Sequence, residues 1–189
     1  MGMTRAAPTL MGPRVVLRAP SVPDVEARKG LGWHRQIERG YGSSRLDGPA
    51  TTEEAGEWFR YVSEDLPAET SWVIEVDGAL AGITNLHHVS AQDRNAMFAI
   101  GMLSPDFVGR GYGLESARLV LRHAFTTLAL HRLWLRVLSD NVRAIRSYES
   151  CGFVYEGTQR ESCLIDGIWL DDHFYGLLDR EFFAAESES

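Results

Sequence analysis

The first half of the chain contains short segments in which hydrophobic and polar residues alternate, the pattern of half-buried β-strands. The stretch PRVVLRAP (13–20) alternates in this way and ends at a proline. In SWVIEVDGALAGITNL (71–86), two apolar runs flank Asp77 and Gly78, the strongest short-range signal for a β-hairpin. The segment NAMFAIGMLS (95–104) predicts a further strand that can pair antiparallel with the second arm of this hairpin.

Two helix starts precede the hairpin. Ser21 is predicted to cap a first helix, with Pro23 in its first turn. Thr51 and Glu54 match a capping box that opens another helix. Between them, residues 30–49 are rich in glycine, serine, arginine and aromatic side chains without a clear period, which is typical of a substrate-side loop or a broken helix.

The second half of the chain alternates helical and strand patterns. Apolar residues at spacings of three and four over residues 114–128 predict an amphipathic helix, and HRLWLRVL (131–138) predicts a strand. A short helix over residues 142–149 stops before Gly152, which suits the left-handed position beyond a helix end. The segments FVYEG and DDHFYGLLD add two more strands.

These elements occur in the order β, helices, β-hairpin, β, α, β, α, β, β. Because no repeat and no linker divides the chain, the order predicts a single mixed α+β domain. The domain is predicted to span residues 13–183, between flexible tails at residues 1–12 and 184–189.

Composition narrows the classes of function. The chain has 189 residues, a formal net charge of −7 and a pI near 5.4, which argues against nucleic-acid binding and mildly favours amine-bearing partners. With only Cys151 and Cys163, and no CxxC or HExxH pattern, a disulfide framework or a metal site has little support. The N-terminal segment has no apolar stretch as long as a signal peptide or membrane span, so we expect a cytoplasmic protein without membrane partners.

The stretch GRGYGLES (109–116) follows an apolar run and opens a predicted helix, an arrangement that binds anions because free backbone N–H groups converge there. Two familiar glycine-rich loops do not fit it. A Walker loop requires Lys and Ser or Thr after the last glycine, where Leu114 and Glu115 stand. A dinucleotide-binding loop requires a further glycine where Leu114 or Ser116 stands.

A third pattern, R/Q-x-x-G-x-G/A, binds the pyrophosphate of coenzyme A. Gly111 and Gly113 fit its two glycines, and Val108 replaces the usual polar residue. The plain alternative is a surface turn whose glycines supply positive φ angles.

A second motif favours the coenzyme A pattern. NVRAIRSYESCGF (141–153) resembles the N-x-x-A-x-x-x-Y-E-x-x-G-F signature of the GCN5-related N-acetyltransferase (GNAT) superfamily. FAIGMLSPDFVGRGYGLESARLVLRHAF (98–125) resembles the central strand, pyrophosphate loop and helix of that superfamily. DGIWLDDHFYGLL (166–178) is similar to the closing strands of its ribosomal-protein N-terminal acetyltransferase (RimJ/RimL-like) branch. The resemblance covers most of residues 13–183.

The resemblance implies a mixed central sheet of about seven strands, flanked by helices and containing a splayed parallel pair. Acetyl-CoA would lie in the gap of that pair, between residues 97–104 and 132–138. Its pantetheine arm would use backbone groups of Met102, Leu103 and Ser104, and an N–H from Leu103 or Met102 would stabilise the oxyanion. The loop amides that would bind the pyrophosphate are those of Val108, Gly109, Arg110, Gly111, Tyr112, Gly113 and Leu114.

Two residues of the second motif carry over as site residues. Asn141 would bind the amides of pantetheine, or it would cap the short helix, and both roles stay open at this point. Tyr148 would protonate the departing thiolate of CoA. Its alternative role is packing on the inner face of the helix, which its spacing from Val142 and Ile145 also explains.

One departure from the family pattern concerns the general base. In the ribosomal-protein branch a glutamate often stands two residues before the glycine of the central strand, and here Ala99 stands there. His87 and His88 are alternative bases, because imidazole titrates near neutral pH. Ordered water could also take the proton, and each histidine could be an ordinary exposed residue. Weaker alternatives are Asp93, Glu161 and Asp171.

The resemblance therefore implies an enzyme that transfers acetyl from acetyl-CoA directly to a primary amine, without a metal. Neither cysteine has a histidine partner in the sequence, so a thioester on the enzyme is not expected. The acceptor would be a protein N-terminus or a small amine such as an aminoglycoside, a polyamine or a biosynthetic intermediate, bound by loops 30–50 and 159–170. A homodimer is compatible with this function. The alternative, motivated by Ala99, is a catalytically silent CoA-binding module of the same fold.

Overall fold

The computed structural model describes residues 7–63 and 70–187. Its strands are β1 (Leu10–Met11), β2 (Val16–Arg18), β3 (Thr70–Val76), β4 (Ala79–Ser90), β5 (Asn95–Met102), β6 (Arg132–Leu138), β7 (Val154–Ile165) and β8 (Ile168–Leu178). They form one eight-stranded mixed sheet in the order β1-β2-β3-β4-β5-β6-β8-β7. The α-helices of the described residues are α1 (Asp24–Leu31), α2 (Arg35–Gly40), α3 (Thr52–Ser63), α4 (Tyr112–Thr126), α5 (Val142–Glu149) and α6 (Asp179–Ser187).

The predicted hairpin at Asp77 and Gly78 is confirmed, and it joins β3 to β4. Both turn residues have positive φ angles, 50° and 79°, the combination that a two-residue type I′ turn requires. The third predicted strand is also confirmed: β5 pairs antiparallel with β4, with Phe98 opposite Leu86. The mixed α+β class predicted from the order of elements is therefore correct.

The one parallel pair among the described strands separates early. β5 and β6 are paired only from Asn95 with Arg132 to Met97 with Trp134. Beyond Met97, β5 continues to pair with β4, whereas β6 pairs along its whole length with β8. The predicted splayed pair is confirmed, and a wedge-shaped gap opens between the C-terminal halves of β5 and β6.

The structure corrects the predicted number of strands and the N-terminal tail. About seven strands were predicted, and the eighth is β1, which lies inside the tail predicted at residues 1–12. Two residues are too few to show an alternating pattern. Tertiary contacts hold this segment instead: Leu10 pairs with Leu17, and Trp72 Nε1 donates to the carbonyl of Pro8 at 2.8 Å.

A similar correction applies at the C-terminus. α6 extends through Ser187, past the predicted domain end at residue 183. Phe182 anchors this helix, because its buried ring lies 5.1 Å from that of Phe125. The remaining residues of the predicted tails, 1–6 and 188–189, lie outside the described residues.

Different helices cover the two faces of the sheet. The predicted amphipathic helix is α4, whose buried side chains pack in the main core with Trp72 and Leu133. Val73 follows Trp72 in β3 and therefore points to the opposite face, where it forms a smaller cluster with Leu103 against α1 and α3. Each such buried apolar side chain stabilises the fold by about 1.5–3 kcal/mol.

The two predicted helix starts have different outcomes. Ser21 does not cap α1, because its N–H and its hydroxyl both donate to the Asp24 carboxylate, at 2.7 and 3.0 Å. The N-cap residue is Pro23, which makes no side-chain cap bond. The capping box of α3 is confirmed: the Glu54 N–H donates to Thr51 Oγ1 at 3.1 Å, and the Thr51 N–H donates to Glu54 Oε2 at 2.8 Å.

The aperiodic segment 30–49 is a broken helix, as one of the two predictions had it. It contains α2 and a bridge in which the Trp33 N–H donates to the carbonyl of Gly48 at 2.7 Å. The guanidinium groups of Arg28 and Arg45 lie 3.9 and 3.8 Å from the centroid of the Trp33 ring. The segment 159–170 was expected to be a loop and is instead the hairpin that joins β7 to β8.

The capping box makes Thr51 a test of this helix start. We expect Thr51→Ala to lower the free energy of unfolding by about 1 kcal/mol, because it removes the acceptor of the Glu54 N–H. Thr52→Ala is the matched control: Thr52 is also exposed, and its hydroxyl makes no hydrogen bond to the described residues. Urea unfolding of both variants measures the difference, and equal stabilities would show that the box does not stabilise α3.

Candidate active site

The gap between β5 and β6 opens into a cleft of about 580 Å³. β5 and the loop before α4 line one side, β6 and α5 line the other, and the end of α2 and Asp172 of β8 also contribute to the lining. This volume is ordinary for a small-molecule site. The predicted site residues that the structure brings to the cleft are His87, Met102, Val108, Gly109, Gly111, Gly113, Leu114, Asn141 and Tyr148.

The backbone groups of β5 point alternately towards β4 and into the cleft. The carbonyl of Ala99 accepts a hydrogen bond from Thr84 Oγ1 at 3.0 Å, and the N–H of Leu103 donates to a β4 carbonyl at 2.9 Å. Since neighbouring residues of a strand direct their N–H and C=O groups to opposite sides, those of Ile100 and Met102 face the gap. β5 therefore turns an edge without a partner strand to the cleft.

This alternation corrects the predicted backbone contact of Leu103. The Leu103 N–H is bonded within the sheet and its side chain is buried in the smaller core, so it cannot stabilise an oxyanion in the cleft. Ser104 is 2% exposed, and its hydroxyl accepts the N–H of Asp106 at 3.2 Å in a single 3₁₀ turn. Its backbone contact with pantetheine stays a prediction. Of the three residues predicted to contact pantetheine through backbone groups, only Met102 lines the cleft.

The glycine-rich loop presents free backbone donors. α4 begins at Tyr112, and Gly111 before it has a φ of 84°, the left-handed conformation that glycine adopts without strain. Within the described part of the chain, the N–H groups of residues 109–114 make no hydrogen bond. These donors and the positive end of the α4 dipole form an anion-binding geometry.

Two predicted loop residues, Arg110 and Tyr112, are not among the residues that line the cleft. The carbonyl of Arg110 accepts Arg14 Nη1 at 3.0 Å, and the ring of Tyr112 lies 5.2 Å from the same guanidinium. The Glu115 carboxylate also supports the loop, because it accepts the N–H groups of Arg14 and Val15 at 2.8 and 3.2 Å. The contacts of Arg110 and Tyr112 with an anion stay predictions that concern their backbone amides.

Asn141 performs the capping role that was one of its two predicted roles. Its Oδ1 accepts the N–H of Ala144 at 3.3 Å at the start of α5. Its side-chain amide group faces Gly40, where a Cβ would lie 3.6 Å from Nδ2. Since Asn141 also lines the cleft, capping leaves the amide donors available, and a contact with pantetheine stays a prediction.

Tyr148 packs in the core and lines the cleft at the same time. It is 8% exposed, and its ring lies edge-on to those of Phe98 and Phe153 at 6.4 and 6.0 Å. Burial raises the pKa of Tyr148 to about 12. The packing role is therefore observed, and a phenol that stays protonated borders the cleft.

The structure separates the two histidines predicted as alternative bases. His87 lines the cleft, whereas His88 is exposed and lies outside its lining. The cause is an irregularity in β4, where His88 has a φ of 51° and its ring stacks on Trp134 at 6.4 Å. Ala99, in the position of the family glutamate, lies in the cleft wall.

The weaker alternative bases lie elsewhere. Asp93 accepts the Ser90 hydroxyl at 2.8 Å in the turn after β4. Glu161 and Asp171 line a separate surface depression, where the Glu161 N–H donates to Asp171 Oδ1 at 2.8 Å. The structure therefore leaves His87 as the one predicted base that borders the cleft.

Tyr41, Arg136 and Asp172 are among the cleft residues that were not predicted. The Tyr41 hydroxyl donates to the carbonyl of Met102 at 3.4 Å and lies so close to Gly101 that a Cβ there would be 1.9 Å away. Arg136 Nη1 donates to Asp172 Oδ2 at 3.2 Å. A charged residue between the apolar residues Leu135 and Val137 is the only local signal for Arg136, since its partner is distant in sequence.

Both cysteines are free thiols. Burial raises the pKa of the Cys151 thiol to about 11. Cys163 lines the cleft, and its Sγ donates to the carbonyl of Gly42 at 3.8 Å. Neither thiol is therefore arranged as a thiolate nucleophile.

Residues 7–63 and 70–187 contain no group of three or more His, Cys, Asp or Glu side chains that could hold a metal ion. None of their helices is long and apolar enough to cross a membrane.

Comparison with known proteins connects this geometry to one family. Residues 14–154 match the family described as "Acetyltransferase (GNAT) domain". The spermidine N(1)-acetyltransferase of Escherichia coli (strain K12) is 35% identical over 100 residues, which cover 53% of this chain and 53% of that protein. The chain thus spans about half the length of this curated relative.

Solved structures extend the likeness to nearly the whole chain. The crystal structure of spermidine N-acetyltransferase from Vibrio cholerae, in complex with CoA and spermine, has a TM-score of 0.76 at 27% identity and covers 91% of this chain and 99% of that one. A GCN5-related N-acetyltransferase from Brucella melitensis has a TM-score of 0.81 at 20% identity, with coverage of 97% and 84%. The second likeness concerns the fold alone.

Proposed function

The chain belongs to the GNAT acetyltransferase family, and on that premise we propose that it transfers an acetyl group from acetyl-CoA directly to a primary amine. Members of this family use acetyl-CoA as co-substrate. The observation that carries the proposal is the early separation of β5 from β6, which leaves the strand-edge groups of Ile100 and Met102 facing a cleft beside the glycine loop.

The cofactor would bind through backbone groups. The pantetheine arm carries two amides and can add to the edge of β5 as a short extra strand, using the groups of Ile100 and Met102. The pyrophosphate would accept hydrogen bonds from the free N–H groups of residues 109–114 at the start of α4. The amide group of Asn141 would bond the arm from the opposite side of the gap.

In the proposed reaction the amine nitrogen attacks the thioester carbon. The N–C bond forms, the C–S bond breaks, and the amine proton passes to His87 or to water. The Met102 N–H points into the gap and would stabilise the negative charge on the carbonyl oxygen of the tetrahedral intermediate. The Met102 N–H thus takes the oxyanion-stabilising role, for which the Leu103 N–H was the other predicted candidate.

Tyr148 would donate its proton to the departing sulfur. Proton transfer from a phenol with a pKa near 10 to a thiolate would be roughly balanced in free energy. Burial, however, raises the pKa of Tyr148 to about 12. The proton therefore stays on the phenol until negative charge has developed on the sulfur. Tyr148 then acts as a hydrogen-bond donor that becomes an acid late in the bond cleavage.

The acceptor would be a primary amine on a small molecule or a protein N-terminus. Relatives named for spermidine support a small amine, and the net charge of −7 attracts cationic ones. The resemblance to the ribosomal-protein branch supports a protein N-terminus instead.

Release of free thiol from acetyl-CoA tests the proposal directly. We expect the purified protein to release CoA thiol in the presence of a primary amine, with mass spectrometry detecting one added acetyl group on that amine. Binding of acetyl-CoA without amine-stimulated thiol release across a broad amine panel would instead support the catalytically silent CoA-binding module.

The loop predicts a contrast between neighbouring positions. We expect Gly111→Val and Gly113→Val to weaken acetyl-CoA binding at least about tenfold, because Gly111 needs a positive φ and both glycines border the anion site. Arg110→Ala should change the affinity much less, since the proposal assigns the anion to backbone amides and not to this side chain. Calorimetric titration measures all three, and wild-type affinity in both valine variants would remove the loop from the cofactor site.

The histidine pair offers a matched test of the base. We expect His87→Ala to alter the acid limb of the rate–pH profile with an accepted amine, because His87 lines the cleft. His88→Ala should leave the profile unchanged, because His88 is exposed outside the cleft. An unchanged profile in both variants would mean that the amine loses its proton to water.

Tyr148→Phe removes the proton donor and keeps the ring that packs against Phe98. We expect kcat to fall about 10- to 1000-fold, while acetyl-CoA affinity and Tm stay nearly unchanged. In the wild type, ionisation of this phenol should not reduce the rate until the pH approaches 12. Steady-state kinetics with a true acceptor provides the measurement, and a wild-type kcat in the Phe variant would leave Tyr148 with packing alone.

A further inference from the structure

The cleft contains an arginine with unbonded N–H donors. Arg136 lies on β6 and is one of the residues that line the cleft. Its one hydrogen bond to the described residues joins Nη1 to Asp172 Oδ2 at 3.2 Å. The Arg136 side chain stays 56% exposed, so the other guanidinium donors remain open to a molecule in the cleft.

Arg136 lies just beyond the point at which β5 and β6 separate. The last residue of β6 that pairs with β5 is Trp134, and Arg136 follows two residues later, about 7 Å along the strand. If the thioester lies in this gap, as the proposed function has it, Arg136 borders the cleft that an acceptor would enter.

The charges of the cleft do not suit a polycation. Of the carboxylates in the described part of the chain, only Asp172 lines the cleft, and it is 4% exposed and already paired with Arg136. Arg143 on α5 adds a second guanidinium. Asp140, the residue before Asn141, is paired with Arg39 at 2.5 Å, and this ion pair has no net charge. A polyamine would meet an excess of positive charge at close range.

We propose that the acceptor is an amine that also carries a carboxylate, and that Arg136 binds this carboxylate while the amine reaches the thioester. The inference rests on the proposed acetyl transfer and names the substrate class of the same site. A planar guanidinium matches a carboxylate through two parallel hydrogen bonds, and such charged pairs are stronger than neutral ones. Spermidine, for which the relatives are named, has no carboxylate, so this chain would differ from those relatives in its acceptor.

Three acceptors of equal chain length test the inference: 5-aminopentanoate, pentylamine and 1,5-diaminopentane. With saturating acetyl-CoA, we expect kcat/KM from thiol release to be highest for 5-aminopentanoate, about 10- to 100-fold above pentylamine, and lowest for the diamine. Arg136→Gln should raise KM for 5-aminopentanoate and remove its advantage, with little change for pentylamine. Arg136→Lys keeps the positive charge but lacks the two parallel N–H donors of a guanidinium. It should therefore retain part of the preference for 5-aminopentanoate.

Arg132→Gln is the matched control. Arg132 lies on the same strand and the same face, but it pairs with Glu156 outside the cleft, so this variant should keep the wild-type preference. Thermal unfolding verifies that each variant is folded.

The outcomes separate the two proposals. A diamine preferred by the wild type, or a preference for 5-aminopentanoate that survives in Arg136→Gln, would overturn the assignment of Arg136 and leave acetyl transfer intact. Thiol release with none of the three, while another amine of the broad panel is acetylated, would overturn the acceptor assignment alone. Release with no amine of that panel, in a protein that binds acetyl-CoA, would contradict acetyl transfer itself.

Discussion

The separation of β5 from β6 after Met97 is the constraint on which the site depends. Up to that residue the two strands share hydrogen bonds, and beyond it each keeps only its other neighbour in the sheet. An unpaired strand edge inside a protein requires partners, since unbonded backbone groups are costly to bury. A ligand that carries its own amides supplies them. The loop at the end of β5 then places the free N–H groups of α4 beside the same gap.

Stability and function share side chains here. Tyr148 packs edge-on against Phe98 and Phe153, and these contacts fix α5 on the far side of the gap. The burial that holds the ring also raises the pKa of its phenol and so keeps the proton in place. Asn141 likewise caps α5 with its oxygen, which orients its amide group. Packing thus provides preorganisation, because the groups that would act on a thioester are already held in position before it binds.

Local signals predicted those parts of the fold that depend on local physics. The hairpin at Asp77 and the helix start at Thr51 follow from turn and capping chemistry within a few residues. The coenzyme A assignment of the glycine loop and the motif around Tyr148 came from the resemblance to a family. The errors have tertiary causes. Whether the Leu103 N–H faces the cleft depends on the pairing of β5 with β4, which no local pattern specifies. His87 and His88 are equivalent in sequence, and an irregularity in β4 separates them. Arg136 meets Asp172 only because β6 and β8 are neighbours in the sheet.

Amide hydrogen exchange along β5 tests the central claim most directly, because the alternation of the strand provides its own control. In the free protein, the N–H groups of Ile100 and Met102 face the gap, whereas that of Leu103 is bonded to β4. The account predicts that saturating acetyl-CoA slows exchange at Ile100 and Met102 and leaves Leu103 unchanged. Unaltered exchange at Ile100 and Met102 in a protein that has bound acetyl-CoA would place the cofactor elsewhere and contradict the account.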